Sequence, residues 1–252
     1  MVSNYENPLP AEIVARRDVA PDLWTIRVRP AGRFVFKPGQ YTTLGVRTGE
    51  ELMERPYSIV SSPLEDEVEF LFELVPGSGL TPKLYKKKVG ETLWMGREAR
   101  GRFSFDAESG HKRHFFAATV TGIAPFLSMV RTLALQGWSD HQLWILHGAS
   151  RSWELAYRDE LQLLTSRSNW FKYIPTISRP SEDPSWKGEV GRVDDVLRKH
   201  LDAHGLDPAT TTAYLCGHPE MIATSQRIFE RRGFAKDSIR QEVYWLPDEE
   251  SE

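Results

Sequence analysis

Cysteine is nearly absent: Cys216 is the single one among 252 residues. One thiol forms no disulfide within the chain and cannot supply the four thiolates of an iron–sulfur cluster. There is no CxxC and no HExxH, the spacings at which thiols or a helical histidine pair hold zinc, so no metal site is expected. Long apolar runs are also missing, and nothing reaches the ~20 residues a membrane-crossing helix needs. The opening MVSNYENPLPAEIV lacks the charged-then-apolar order of a secretory signal, and a cytoplasmic enzyme is expected. The formal charge of −3 argues against a general nucleic-acid binder. Neither internal repeats nor a GxGxxG fingerprint is present.

What the chain has is aromatic side chains: eight Trp, eight Tyr and twelve Phe. Such residues build cores, and they also stack on planar cofactors. The length accommodates two domains, each with its own core. The first hundred residues read as β. Expected strands are 11–19, 23–29, 40–47, 56–62, 67–75, 92–95 and 102–105, with one short helix over 81–88. In 67–75 the apolar Val68, Phe70, Phe72 and Leu74 alternate with Glu67, Glu69 and Glu73, and Leu71 is the odd member of the acidic face. Short strands with close turns suggest an antiparallel barrel. Beyond residue 108 strands alternate with helices. The strands are 114–119, 142–147, 171–177, 211–215 and 239–245; helices follow from Ile123, over 153–165 and 193–201, and over 219–232 before Gly233. That order predicts a doubly wound parallel sheet. The expected domains are 1–107 and 108–252, linked near 106–112, with an acidic PDEESE tail.

Five segments carry candidate chemistry. In Arg55-Pro56-Tyr57-Ser58 a guanidinium fork suits a phosphate, a ring can lie on a flat cofactor, and a hydroxyl can donate. The same four residues equally fit an ordinary edge strand. Val75–Pro82 turns on Gly77 and Gly79 into the short helix, with Thr81 as its expected cap. Free N–H groups there suit a pyrophosphate, although a well-capped helix is the plainer reading. Ala118–Phe126 joins the first α/β strand to its helix, where dinucleotide-binding folds place a phosphate loop. Tyr214–Met221 puts Cys216 and Gly217 at the carboxyl end of a strand, although a lone cysteine is commonly a small buried hydrophobe. Tyr244 and Trp245 end the last strand as core residues or as covers for flat rings.

Together these segments resemble the ferredoxin–NADP(H) reductase superfamily, most closely its bacterial type, from about Ala11 to Trp245. The resemblance implies a barrel that binds FAD and an α/β domain that binds NADP(H). It implies that Arg55 contacts the FAD pyrophosphate, that Pro56 and Tyr57 lie along the flavin, and that Ser58 sits near the flavin N5. It implies flavin contacts for Leu71 and Thr121 and pyrophosphate contacts for Gly79, Leu80 and Thr81. Cys216 and Gly217, with Met221 beyond them, would seat the nicotinamide. Ser178, Arg179 and Arg192 would hold a 2′-phosphate, and Arg151 adjoins Ser150, where the family has a third arginine. Tyr244 would face the flavin and Trp245 the adenine; relatives stop there, whereas Leu246–Glu252 follows here. The family's glycine before Thr121 is replaced by Val120, whose Cβ is expected to crowd the pyrophosphate. Ser58, Cys216 and Tyr244 are the residues expected nearest the chemistry.

The implied activity is electron transfer between NADP(H) and a one-electron carrier, ferredoxin or flavodoxin, by a monomer. Lys83, Lys86, Lys87, Lys88, Arg97, Arg100 and Arg102 could dock an acidic carrier, or simply form a solubilising surface. A flavin or ferric reductase of the same superfamily and a flavin-binding module without turnover remain the alternatives.

Overall fold

The computed structural model describes residues 8–137 and 140–243. The chain divides into two compact units, one holding the residues up to Phe105 together with Ala124–Gln136, the other Asp106–Ile123 and the residues from Gly137 onward.

The first unit is an antiparallel sheet of β1 (Leu9–Ala20), β2 (Leu23–Pro30), β3 (Tyr41–Thr48), β4 (Glu51–Ser58), β5 (Val68–Glu73) and β6 (Thr92–Met95), ordered β4-β3-β6-β1-β2-β5. Its two edges meet at an antiparallel bridge between Ile59 and Phe70, and the Val60 N–H donates to the Glu69 carbonyl at 2.8 Å. The sheet therefore closes into a barrel. Trp24, Ile26, Val28, Leu44, Phe70, Phe72 and Leu93 fill the interior. Trp24 and Phe72 stack at 5.3 Å.

Two helices belong to this unit, α1 (Thr81–Tyr85) and α2 (Ala124–Leu135). The second explains the acidic face of β5. Glu69 is buried rather than solvated, and its carboxylate takes hydrogen bonds from Arg131 of α2 at 2.7 Å and from Arg27 at 3.0 Å. The Ser128 hydroxyl donates to the Ser61 carbonyl at 2.7 Å, and Thr132 Oγ1 to Ser62 Oγ at 2.8 Å. A buried carboxylate is tolerable only when paired in this way. Leu71, on the same face of β5, is buried as well.

The second unit is a parallel sheet of β7 (Arg113–Thr119), β8 (Gln142–Ala149), β9 (Phe171–Ile177), β10 (Glu189–Val190), β11 (Thr211–Gly217) and β12 (Ile239–Val243), ordered β10-β9-β8-β7-β11-β12. Every neighbouring pair is parallel. Three helices are added here, α3 (Arg158–Arg167), α4 (Val193–Ala203) and α5 (Pro219–Arg231). On one face Phe115, Ala117, Leu146, Ala213 and Leu215 pack with Val196, Leu197, Ile222 and Phe229 of α4 and α5. The opposite face carries rings with polar atoms: His114, Phe116, Tyr214, His147 and Tyr173. Among the described residues, no helix is long and apolar enough to cross a membrane, and no group of three or more His, Cys, Asp or Glu could hold a metal ion.

Several expected elements are corrected. Arg55–Ser58 closes β4 instead of opening a strand, because Thr48 pairs with Glu51 across a two-residue turn and the strand starts at once. Residues 102–105 are not a strand; the ladder stops at the Tyr41–Arg100 bridge, and Gly101, with φ +103°, turns the chain away. The helix expected over 81–88 ends at Tyr85, since the Arg16 guanidinium takes the carbonyls of Tyr85 and Lys87 and Glu91 accepts the Lys88 N–H at 2.7 Å. Leu80, not Thr81, is its N-cap; the Thr81 hydroxyl instead accepts the Val75 N–H at 3.0 Å. The helix expected over 153–165 is a short 3₁₀ turn at Ser152–Glu154 followed by α3. The segment expected to link the halves is anchored at its start, with the Asp106 N–H donating to Tyr214 Oη at 3.2 Å and its carboxylate paired with Arg240.

At the amino edge of the parallel sheet a polar chain runs inward. Lys112 Nζ lies 3.0 Å from His141 Nε2, His141 Nδ1 lies 2.7 Å from His114 Nε2, and Tyr214 Oη lies 3.4 Å from His114 Nδ1. Lysine can only donate, so the network assigns both imidazoles as neutral, each donating from Nδ1. Burial, with His141, His111 and Lys112 nearby, holds His114 down to about 3, and burial holds His147 down to about 4. Unfolded histidines titrate near ~6.5, so they take up protons that these two refuse, and stability falls as pH drops from ~6.5 toward 4. Urea unfolding across that range should show a slope about one proton shallower in His114→Leu, ~1.4 kcal/mol per pH unit. Equal slopes would mean that His114 is protonated in the native protein.

Candidate functional site

In an open parallel sheet, ligands bind at the carboxyl edge where the strand order reverses. Here that place is the end of β7, which has β8 on one side and β11 on the other. Two loops meet there. After β7 comes a 3₁₀ turn, Val120–Ile123; after β11, His218 caps α5. Their backbones nearly touch. A Cβ on Gly122 would stand 2.3 Å from the Cys216 carbonyl oxygen, and one on Gly217 would stand 2.2 Å from Thr119 Oγ1. Gly217 also has φ +137°, and Thr119 Oγ1 accepts the His218 N–H at 2.8 Å. Only glycine permits this approach. Cys216 is fully buried at the end of β11. Met221 is not on the rim but in the apolar core under α5.

Val120 has φ +43°, a left-handed conformation that is unusual for a β-branched residue. Its side chain is partly buried against Ala149, Leu155 and Ile177. Its carbonyl oxygen lies 3.0 Å from Nε2 of the buried His147 on β8, whose Nδ1 lies 3.0 Å from Tyr173 Oη on β9.

The arginines gather beyond the ends of β8 and β9. The Arg179 N–H donates to the Ser150 carbonyl and the Ser178 N–H to the Ala149 carbonyl, both at 3.0 Å, so the two loops run side by side. Both guanidiniums share one carboxylate: Glu182 takes a hydrogen bond from Arg151 Nε at 2.8 Å and lies 3.6 Å from Arg179. Arg151 also donates to Glu154 at 2.8 Å. Arg192, at the start of α4, pairs with Asp194 at 3.4 Å and Glu220 at 3.2 Å. Sequence reasoning missed these carboxylates, which alternate with the arginines in the chain.

In the barrel unit, Met53, Arg55 and Tyr57 alternate onto one face of β4, while Pro56 is exposed and Ser58 buried. The Tyr57 ring meets Phe72 edge-on at 4.8 Å, and burial pushes its phenol well above the usual range. The loop before α1 reaches this strand: a Cβ on Gly79 would lie 2.9 Å from Met53 Sδ. Arg55 is one side-chain repeat from Met53, about 7 Å along the strand, and its guanidinium is exposed. Ser78 and Thr81 hydroxyls lie 2.7 Å apart in the same loop, whereas the Leu80 side chain is buried in the barrel core. Thr121 follows Val120 in the 3₁₀ turn. Tyr244, Trp245 and the tail after them lie outside the described residues. Of the basic residues, Lys83 and Lys86–Lys88 precede β6 in the chain, and Arg97, Arg100 and Arg102 follow it.

Residues 116–227 match the oxidoreductase NAD-binding domain family. Ferredoxin–NADP reductase B of Sorangium cellulosum (strain So ce56) is 32% identical over 223 residues, covering 86% of this chain and 88% of that one. The reductase component of phenol 2-monooxygenase from Pseudomonas sp. (strain CF600) is 27% identical over 92% of this chain, which spans 64% of that protein's length. Among solved structures, a ferredoxin NADP+ reductase from Neisseria gonorrhoeae with bound FAD and NADP superposes with a TM-score of 0.85 at 24% identity, covering 95% of this chain and 100% of that one. The chain belongs to the ferredoxin–NADP(H) reductase superfamily, the oxidoreductases that join an antiparallel barrel to a parallel nucleotide-binding sheet.

Gly122 needs no left-handed φ, so Gly122→Ala isolates the close approach of the two loops. It is expected to lower unfolding stability by roughly 1–3 kcal/mol, the usual cost of forcing a methyl group into a filled space. An unchanged melting temperature would mean that the loops do not meet as described.

Proposed function

We propose that the chain is an FAD-dependent oxidoreductase that exchanges electrons between NADP(H) and a one-electron carrier, ferredoxin or flavodoxin. The observation that carries this reading is the pair of glycine-tight loops at the carboxyl edge of β7 and β11, flanked by Arg151, Arg179 and Arg192. Close backbone approach suits a pyrophosphate, and a guanidinium cluster suits a 2′-phosphate.

The barrel residues fit a flavin nucleotide. Arg55 offers an exposed guanidinium to a pyrophosphate, and the Gly79 loop comes to the same face of β4 without a side chain in the way. Tyr57 is partly buried, its ring held edge-on against Phe72, and would lie along a flat ring system. Ser58 would donate near the reacting nitrogen, with Leu71, Leu80 and Thr81 holding the remainder. Bound FAD would supply the conversion of a two-electron hydride into single electrons. The protein's part is orientation: Cys216 and Gly217 seat the nicotinamide, Tyr57 fixes the ring plane, and no general base is required. Tyr244 and Trp245 complete the assignment as covers for flavin and adenine.

A second reading is favoured by the kinship to the phenol 2-monooxygenase reductase component. Electrons would then pass to an oxygenase, with any iron–sulfur cluster held outside these residues, which contain one cysteine. Carrier assays separate the two. NADPH-driven reduction of cytochrome c should depend on added ferredoxin or flavodoxin; rapid dye reduction without any carrier-dependent rate would contradict the first reading.

Glu182 competes with a 2′-phosphate for Arg151 and Arg179. Glu182→Gln should therefore raise the NADPH-to-NADH ratio of kcat/KM, by about tenfold if one charge-assisted hydrogen bond is freed for the phosphate. A ratio that falls or stays level would remove these arginines from the 2′-phosphate site.

A further inference from the structure

The loop after β7 holds a conformation that its own sequence disfavours. Val120 sits at φ +43°, where its branched side chain crowds the backbone, and the residues after it are the proposed pyrophosphate loop. Such a conformation persists only where the surroundings enforce it. Two contacts do so. The side chain lies against Ala149, Leu155 and Ile177, and the carbonyl faces His147 Nε2 at 3.0 Å.

The hydrogen bonding leaves one arrangement for His147. A carbonyl oxygen only accepts, so Nε2 carries the proton and donates it to Val120. Nδ1 is then the acceptor and takes the Tyr173 hydroxyl proton at 3.0 Å. The ring and its Tyr173 partner are buried, His147 at 0% exposure and Tyr173 at 6%. Burial keeps the imidazole neutral, holding it down to about 4, so the tautomer persists at physiological pH. In a strand as apolar as β8 (QLWILHGA), a fully buried histidine demands such a purpose.

We propose that His147, aligned by Tyr173, is a positioning residue for nucleotide binding: it clamps the Val120 carbonyl and keeps the strained loop in its nucleotide-ready shape. The proposal rests on the reading that this loop receives the NADP(H) pyrophosphate. The valine contributes apolar contact where glycine would contribute freedom, and the histidine offsets the strain.

The test uses FAD-loaded, full-length protein and NADP+ as the probe. His147→Leu should weaken NADP+ binding about tenfold, the effect of losing one buried hydrogen bond. KM for NADPH should rise in step while kcat at saturation and FAD content hold. His147→Gln, whose terminal amide occupies the place of Nε2, should retain binding to within about threefold, and so should His147→Leu combined with Val120→Gly, because glycine adopts positive φ without strain. Binding unchanged in His147→Leu, or not restored by Val120→Gly, would overturn the clamp. If the wild-type protein binds no NADP+, the functional reading fails, and melting temperatures alone decide the clamp. Val120→Gly melting above Val120→Ala supports the strain; Val120→Gly melting below it overturns it.

Discussion

The arrangement depends first on how closely two backbones approach at the carboxyl edge of the parallel sheet. Gly122 lies against the Cys216 carbonyl and Gly217 against Thr119, with the Thr119 hydroxyl closing onto the His218 N–H. No side chain fits between them, so the loops after β7 and β11 act as one surface. That surface is lined by main chain and edged by arginines. Main-chain N–H groups suit a pyrophosphate and guanidiniums a terminal phosphate, and the proposed assignment rests on that chemistry.

Charge is balanced locally throughout. Glu69 is buried in the barrel unit between Arg27 and Arg131, and the arginines beyond β8 and β9 share Glu154 and Glu182. The first group fastens α2 to the barrel. The second is more exposed and screened by water, so each of its pairs contributes less to stability. The same pairing chemistry thus serves structure where it is dry and, in the proposed function, recognition where it is wet.

The two fold classes and most strands were legible in the sequence because apolar alternation and helical spacing are local signals. β6 and β9 fall where the pattern places them, at Thr92–Met95 and Phe171–Ile177. The errors arose where a distant partner decides. Alternation makes Glu69 a solvent-facing residue, but Arg131, 62 positions away, covers it. The short helix ends early because Arg16 binds the carbonyls of Tyr85, its last residue, and of Lys87 beyond it, from 69 and 71 positions away. At the site, the loops stood out through their glycines, and Val120 was visible as a departure. What sequence could not display was its positive φ, or the histidine that holds it; the one trace was a polar residue inside the apolar run of β8. The sharing of Glu182 between Arg151 and Arg179 was equally hidden, because the Arg151 pair needs the two loops side by side.

The central claim is that the two units bind FAD and NADP(H) for electron transfer. Anaerobic titration of the purified protein, followed in the flavin absorption band, tests it most directly. The account predicts a yellow protein that NADPH bleaches at lower concentration than NADH. A colourless protein, or a yellow one that neither nucleotide bleaches, would contradict it.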